Sequence, residues 1–342
     1  MPETDTTPDL LDVPSAARVP GLRLRRYRGE SDHPAMTEIL NTSRRAAGMP
    51  GTSTVEEMTN VYRHLENCDP QTDIAIAELD GTVVGYGRVY WEDRTSGERA
   101  FTLVTYLDPR IAGRGVGRAL LAWLEQRAVD AARMAADRRP VVLVAYLFGD
   151  DPDRRESLER AGFHVARRHA AMSRPDFTGI PDLPPPDGLV IRPIAADDRA
   201  MHRRVFEVDA EVFREHWGGS EATEERFAAF LEAPTFDPPL WRVAFDGDEI
   251  AGQILNYLGP IEPDGTRVGW TESIAVRRPW RRRGLARALL AASLRAVRDG
   301  GATSAALGVD QQNPNEALRL YESLGFRLVA EELEYHKPLP LA

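Results

Sequence analysis

The chain has 342 residues, 42% hydrophobic and 28% charged, with Lys+Arg 43 against Asp+Glu 53 and a formal net charge of −10. That length suits two domains; the composition excludes a disordered, collagen-like or coiled-coil chain over most of its length, and the acidic balance argues against a nucleic-acid partner. One cysteine, Cys68, excludes an intramolecular disulfide and any C-x-x-C site, and without an apolar leader or a long apolar run a cytoplasmic protein with no membrane partner is expected.

Residues 1–20 read as a flexible N-terminal arm. A short strand pattern, Leu22 to Arg25, precedes helical stretches over 32–66. Next comes a hairpin, Asp73 to Leu79 and Thr82 to Trp91, around Asp80-Gly81, a strong short-range turn signal. The strand Phe101 to Leu107 leads through a glycine-containing turn into an amphipathic helix, Gly117 to Ala136. The strand Val141 to Leu147, a short helix closing on Gly162-Phe163 and a last strand complete this half. Pro175 to Gly188, PDFTGIPDLPPPDG, is too rich in proline for helix or central strand and reads as a linker.

The same order then returns: Leu189 to Arg192, helices over 198–232, and a hairpin of Trp241 to Phe245 and Ile250 to Tyr257 around Asp246-Gly247. The strand Gly269 to Val276, the helix Ala286 to Arg298, the strand Ser304 to Val309 and a short helix ending at Gly325-Phe326 follow. Matched anchors lie 166 (Asp80 to Asp246), 169 (Gly115 to Gly284) and 163 (Gly162 to Gly325) residues apart, which identifies a duplication. The expected organisation is an arm at 1–20, a domain at 21–174, a linker at 175–188 and a second domain at 189–342.

Two segments carry chemistry. Arg281-Arg282-Arg283-Gly284-Leu285-Ala286 joins a strand to a helix, so unpaired N–H groups, the helix dipole and three cations suit a pyrophosphate. An ordinary turn with solvated arginines reads equally well from this segment alone. Gly113-x-Gly115-x-Gly117 does not keep the dinucleotide spacing. Lys337 is the one lysine and lies far from any phosphate-loop glycines, which excludes that NTPase motif. In the second segment Asn313 reads as an N-cap, Pro314 as the first helical residue and Glu316 as the capping-box partner, while Gly325 ends the helix. Tyr321 lies in its last turn, where it either fills core or presents a hydroxyl that needs a partner.

R-x-x-G-x-A after a strand, followed by N-P-x-x-A-x-x-L-Y-x-x-x-G-F, resembles the GNAT superfamily of acetyl-CoA-dependent N-acetyltransferases, and the resemblance covers both halves. It implies an α+β protein of two tandem GNAT domains, each a mixed, largely antiparallel sheet flanked by helices. It implies acetyl-CoA as cosubstrate, no metal, and a small-molecule amine acceptor that attacks the thioester directly. Ile274, Ala275 and Val276 match the strand that aligns the pantetheine. Arg281, Arg282, Arg283, Gly284, Leu285, Ala286 and Arg287 match the pyrophosphate turn, with Asn313 also assigned to cofactor binding. Tyr321 matches the tyrosine that protonates the leaving thiolate and Glu272 the carboxylate that takes the amine proton, roles that fit an alkylammonium near pKa ~10 and a thiol near ~8.5.

The first half has Ala112, Leu103 and Leu158 where Arg281, Glu272 and Tyr321 stand. It reads as a degenerate copy whose Gly113, Arg114, Gly115, Val116, Gly117 and Arg118 form a possible second CoA site. Asp209, Glu211, Glu215, His216-Trp217-Gly218, Trp241 and Trp270 are weaker candidates for an acceptor pocket, and His202 and His216 lack metal-binding spacing. Transfer to a cysteinyl pseudodisaccharide, and a non-enzymatic acyl-CoA-binding sensor, are the alternatives to small-amine acetylation.

Overall fold

The computed structural model describes residues 9–340 apart from 95, 136–138, 214–221 and 313–316. The described chain is mixed α+β and divides into two compact units. The first comprises Met1–Ala47, Val61–Arg167 and Glu332–Ala342; the second comprises Gly48–Asn60 and Arg168–Glu331.

The first half contains β1 (Leu22–Arg26), α1 (His33–Ala46), α2 (Val55–Arg63), β2 (Ile74–Leu79), β3 (Thr82–Asp93), β4 (Arg99–Leu107), α3 (Val116–Met134), β5 (Val141–Phe148), α4 (Pro152–Arg160) and β6 (His164–Arg174). The second contains β7 (Leu189–Arg192), α5 (Arg199–Phe213), α6 (Glu224–Glu232), β8 (Arg242–Asp246), β9 (Glu249–Ile261), β10 (Arg267–Val276), α7 (Leu285–Asp299), β11 (Ser304–Asp310), α8 (Ala317–Ser323) and β12 (Arg327–Leu339).

In the first unit β1, β2, β3 and β4 pair antiparallel in order, β4 pairs β5 in parallel, and residues 332–339 of β12 close the sheet antiparallel to β5. In the second unit β7, β8, β9 and β10 pair antiparallel, β10 pairs β11 in parallel, and residues 169–174 of β6 lie antiparallel to β11. The compact units therefore differ from the linear division at 174 and 189, because each half's last strand completes the sheet of the other unit.

Helix α3 buries Val116, Ala119, Leu120, Leu124 and Ala128, a stripe at helical spacing that rests on one face of the first sheet. It approaches so closely that a Cβ on Gly87 would lie 2.9 Å from Leu124 Cδ1. Helix α7 repeats this with Leu285, Leu289, Leu290 and Leu294; each fully buried leucine stabilises by about 1.5–3 kcal/mol. The hairpins differ by one residue. Asp80 and Gly81 have φ of 50° and 80°, as a type I′ turn requires. In the second, Asp246 pairs Glu249, so the loop is Gly247-Asp248 rather than Asp246-Gly247, with Gly247 at φ 56° taking the left-handed first position.

Of the expected arm, residues 1–8 lie outside the described residues. The rest packs: Val13 and Ala16 enter the first core, and Leu11 N–H donates to the Leu24 carbonyl at 2.9 Å. The proline-rich connector is irregular but anchored, with Phe177, Ile180 and Leu183 packed on the second core. The Arg174 guanidinium donates to the carbonyls of Asp176 (2.8 Å), Thr178 and Leu324. Among the described residues no helix is long and apolar enough to cross a membrane.

Candidate active site

The second sheet forks. The β10–β11 ladder runs from Val268 opposite Ser304 to Trp270 opposite Ala306. Beyond it the Thr271 hydroxyl donates to the Ala306 carbonyl at 3.4 Å, while β10 continues to Val276 and β11 to Asp310. The opposite edge of β10 is bulged, since Glu272 pairs Leu255 but the next partners are Ala275 and Gln253. Ser273, inside the bulge, has φ 49°, a conformation L-residues rarely adopt and that typically costs about 1–3 kcal/mol. The bulge re-aims the backbone of Ser273 and Ile274 away from the β9 ladder.

The chain then turns into α7. Arg282 has φ 61° and Gly284 φ 86°, and a Cβ at Gly284 would meet nothing within 4 Å. The Gly284 carbonyl accepts from Arg287 and Ala288 N–H, both at 3.1 Å, leaving the N–H groups of Leu285 and Ala286 among the orphan donors of the helix start. Arg282, Arg283 and Arg287 are exposed. Arg281 is half-buried and donates from Nε to the Val276 carbonyl at 2.8 Å, tying the turn to the strand end. An open left-handed glycine, free N–H groups and three exposed cations fit the phosphates of a CoA-type cosubstrate.

Tyr321, 6% exposed, belongs to the same apolar cluster as Ile274 and Val276, which brings three of the expected residues together. It meets Phe326 edge-on at 6.2 Å, and burial pushes its phenol up to about 12. Among the described residues its hydroxyl has no hydrogen-bond partner. Glu272 is exposed. Ala275 is fully buried in the core beneath α5 and pairs Gln253 of β9, away from the fork.

A second carboxylate lies beside the bulge. Asp209 of α5 accepts from Gln253 Nε2 at 3.5 Å and is hydrogen-bonded by Ser273, and burial pushes its carboxyl up to about 6. Gln253, fully buried, also donates to the Val205 carbonyl at 3.0 Å. Ser273 and Gln253 carry no sequence signal of their own; only the bulge joins them to Asp209.

The other candidates disperse. Trp241 is 2% exposed in an aromatic core with Phe230 and Phe236. His202 bonds through Nε2 to the Ala195 carbonyl at 3.0 Å within that core, and Trp270 stacks on Tyr257 at 6.0 Å. Glu211 pairs with Arg277 at 2.9 Å. Among the described residues no cluster of three or more His, Cys, Asp or Glu could hold a metal. Asn313, Pro314, Glu316, Glu215 and His216-Trp217-Gly218 lie outside the described residues.

The first unit keeps the turn and loses the fork. Gly113 and Gly115 have φ of 74° and 84°, and Arg114 and Arg118 are exposed. Val116 is buried, and a Cβ on Gly117 would lie 2.8 Å from Leu107 Cδ1. Yet the β3–β4 register is unbroken, and the β4–β5 ladder reaches Leu103 opposite Ala145, two residues beyond its counterpart. Val104 stands where Ser273 stands, and a β-branched side chain resists the left-handed conformation the bulge needs. Leu103 and Leu158 are fully buried core residues. Val19 from the N-terminal segment lies 3.3 Å from where a Cβ on Gly115 would sit, so the space beside this glycine is taken where that beside Gly284 is open.

The Acetyltransferase (GNAT) family matches at residues 34–140 and 203–326. A mycothiol acetyltransferase of Kineococcus radiotolerans is 31% identical over 312 residues, 89% of this chain and 92% of that protein. Among solved structures, a GCN5-related N-acetyltransferase from Sphaerobacter thermophilus superimposes with a TM-score of 0.69 at 25% identity, covering 93% of this chain and 96% of that one. A tandem GNAT protein from the clavulanic acid biosynthesis pathway gives 0.64 at 16% identity, covering 94% and 99%, and supports the fold alone. The chain belongs to the GNAT acetyltransferase family and carries its domain twice.

Proposed function

We propose that this acetyltransferase moves an acetyl group from acetyl-CoA to a small primary amine, and that the second unit alone carries the reaction. The observation that supports this is the fork of β10 and β11, with its Ser273 bulge, open Gly284 turn and adjoining Tyr321, against a first unit whose ladder is longer and whose matching positions are Leu103 and Leu158. Bound acetyl-CoA supplies an activated thioester. The backbone of Ile274 to Val276 orients the acyl arm along the splayed edge. The N–H groups of Leu285 and Ala286, with Arg282, Arg283 and Arg287, hold phosphate oxygens, and Arg281 fixes the turn that presents them.

Tyr321 keeps its proton on Oη far above neutral pH, so the proton is there for a leaving sulfur and the group works as an acid rather than a base. Glu272, exposed at the mouth of the fork, takes the amine proton directly or through water. In the first unit we assign the Gly113 to Arg118 turn to structure rather than CoA binding, because Val19 takes the space beside Gly115 and the β4–β5 ladder leaves no fork beside it.

A second reading, transfer to a cysteinyl pseudodisaccharide, rests on the similarity along most of the chain to relatives named mycothiol acetyltransferase. Incubating the protein with acetyl-CoA, a panel of small primary amines and the cysteinyl pseudodisaccharide, with products identified by mass, tests both. Acetylation of the small amines in preference to the pseudodisaccharide supports the first reading; the reverse supports the second. A protein that binds acetyl-CoA and acetylates none of them is a sensor.

A further inference from the structure

The first unit has lost the residues read as catalytic but not its polar interior. On the face of its sheet away from α3, the neighbouring strands β3 and β4 place Tyr86 directly opposite Tyr106, with ring centroids 5.5 Å apart, and Tyr106 stacks on Phe148 of β5 at 5.9 Å. Arg88, two residues along β3, lies between two rings, 5.2 Å from the centroid of Tyr62 and 5.3 Å from that of Tyr90.

The polar groups of this cluster do not satisfy one another. Among the described residues Arg88 has no hydrogen-bonding or ion-pairing partner, and its Nε is buried with nothing to donate to. Tyr86 is 2% exposed, and neither its hydroxyl nor that of Tyr62 or Tyr106 bonds a described residue. Arg154 spends its Nε on the Tyr146 carbonyl at 3.0 Å, and its guanidinium makes no close ion pair with a carboxylate among the described residues, although Asp151 acts on it electrostatically. Arg44, Arg88 and Arg154 all act electrostatically on Tyr106, and Glu332 is the opposing acid that reaches it. Buried polar groups are almost always paired, and a desolvated guanidinium without a carboxylate is costly.

Two guanidiniums without a close carboxylate, three donor-capable phenols and a stack of aromatic faces match one ligand chemistry. We propose that the first unit binds a small organic oxyanion on this face, its carboxylate or phosphate held by Arg88 and Arg154 with the Tyr86 and Tyr106 hydroxyls, and its apolar body against the Tyr106–Phe148 stack. Charge-assisted bonds from guanidinium supply the affinity, and the rings supply the selection of a flat or apolar body. The first unit is then a ligand-binding copy of the domain rather than a structural remnant.

The test is calorimetric titration of the full chain with benzoate, phenyl phosphate and inorganic phosphate. Binding of benzoate or phenyl phosphate is expected, tighter than inorganic phosphate; which of the two binds better tells carboxylate from phosphate. Arg88→Met should weaken it about 10-fold or more, as loss of a charged hydrogen bond predicts. Tyr106→Phe, which removes only a hydroxyl and leaves the packing intact, should weaken it about threefold or more and serves if the arginine variant fails to fold. Absence of binding by either aromatic probe, binding unchanged in both variants, or Arg88-dependent binding of CoA alone would overturn the proposal.

Discussion

Replacing Tyr321 by phenylalanine separates the two roles of that residue. The ring fills the second core at 6% exposure, edge-on to Phe326, and the hydroxyl bonds no described residue. Phenylalanine therefore keeps the packing and removes no hydrogen bond to a described residue, so stability should change by less than about 1 kcal/mol. The catalytic effect should be far larger. Proton donation to a leaving group is typically worth about 10² to 10⁴ in rate, or about 3–5 kcal/mol of barrier. Because the phenol titrates only at about 12, the wild-type rate should show no alkaline loss from this group across the neutral range.

The assay is single-turnover acetyl transfer at saturating acetyl-CoA and amine, paired with calorimetric acetyl-CoA binding and a thermal melt. The expected pattern is a large fall in the transfer rate with binding and melting temperature preserved. A rate unchanged within about twofold, where an interaction made only in the transition state should lower turnover directly, would refute the acid role. A rate that falls only in step with acetyl-CoA binding would refute it too.

Three further perturbations address the fork. Asp209 has its carboxyl pushed up to about 6 by burial; a raised acid contributes stability that is fully present below about pH 4 and is lost as pH rises through about 6, so Asp209→Asn should gain on wild type across that window by up to about 3 kcal/mol, read from urea melts at pH 4, 6 and 8. Gly284→Val forces a β-branched residue to φ 86° and should cost about 1–2 kcal/mol while abolishing the single acetyl-CoA binding event in a titration; a surviving event would place CoA in the first unit. Arg282→Gly relieves φ 61° and should raise stability by up to about 1 kcal/mol yet weaken acetyl-CoA binding most at low salt, the regime in which an exposed cation acts.

The duplication, the order of elements and the glycine turn before α7 were legible because each rests on local chemistry: Asp-Gly turns, glycine before a helix, and apolar residues at a helical period. The place of Tyr321 in a short helix ahead of Gly325-Phe326 was legible too, its burial in the second core being one of the two readings the sequence left open. The bulge was not, since nothing in Thr271-Glu272-Ser273-Ile274 announces a serine at φ 49°, and without the bulge nothing links Ser273 to Asp209. Nor could periodicity show that Trp241 and His202 fill an aromatic core, because a buried aromatic and a pocket wall share one pattern. The exchange of last strands was also hidden: β6 and β12 each follow an equivalent short helix, α4 or α8, and which sheet receives each depends on volumes on facing elements.

Those volumes give a prediction about the halves. Facing the first core, β12 supplies Leu333 and Tyr335, 2% and 0% exposed, while β6 supplies Ala170 and Met172, both 1% exposed, to the second. By the 163-residue offset of Gly162 to Gly325 these are equivalent positions. A fragment ending at residue 174 has two courses. It can leave the apolar strand Val141–Phe148 as an open edge, which invites aggregation. Or it can fold β6 back beside β5, setting Ala170 and Met172 where Leu333 and Tyr335 fit; large-to-small replacement of one buried leucine alone costs about 2–5 kcal/mol, a large share of the about 5–15 kcal/mol that holds a domain together. In the second core the reverse exchange would force a tyrosine into the space of Met172, and overpacking costs about 1–3 kcal/mol more. Residues 1–174 expressed alone should therefore be insoluble or melt well below the full chain, and co-expression with 175–342 should recover soluble protein. A monomeric 1–174 fragment that melts with the full chain would show that the exchange is not encoded in these side chains.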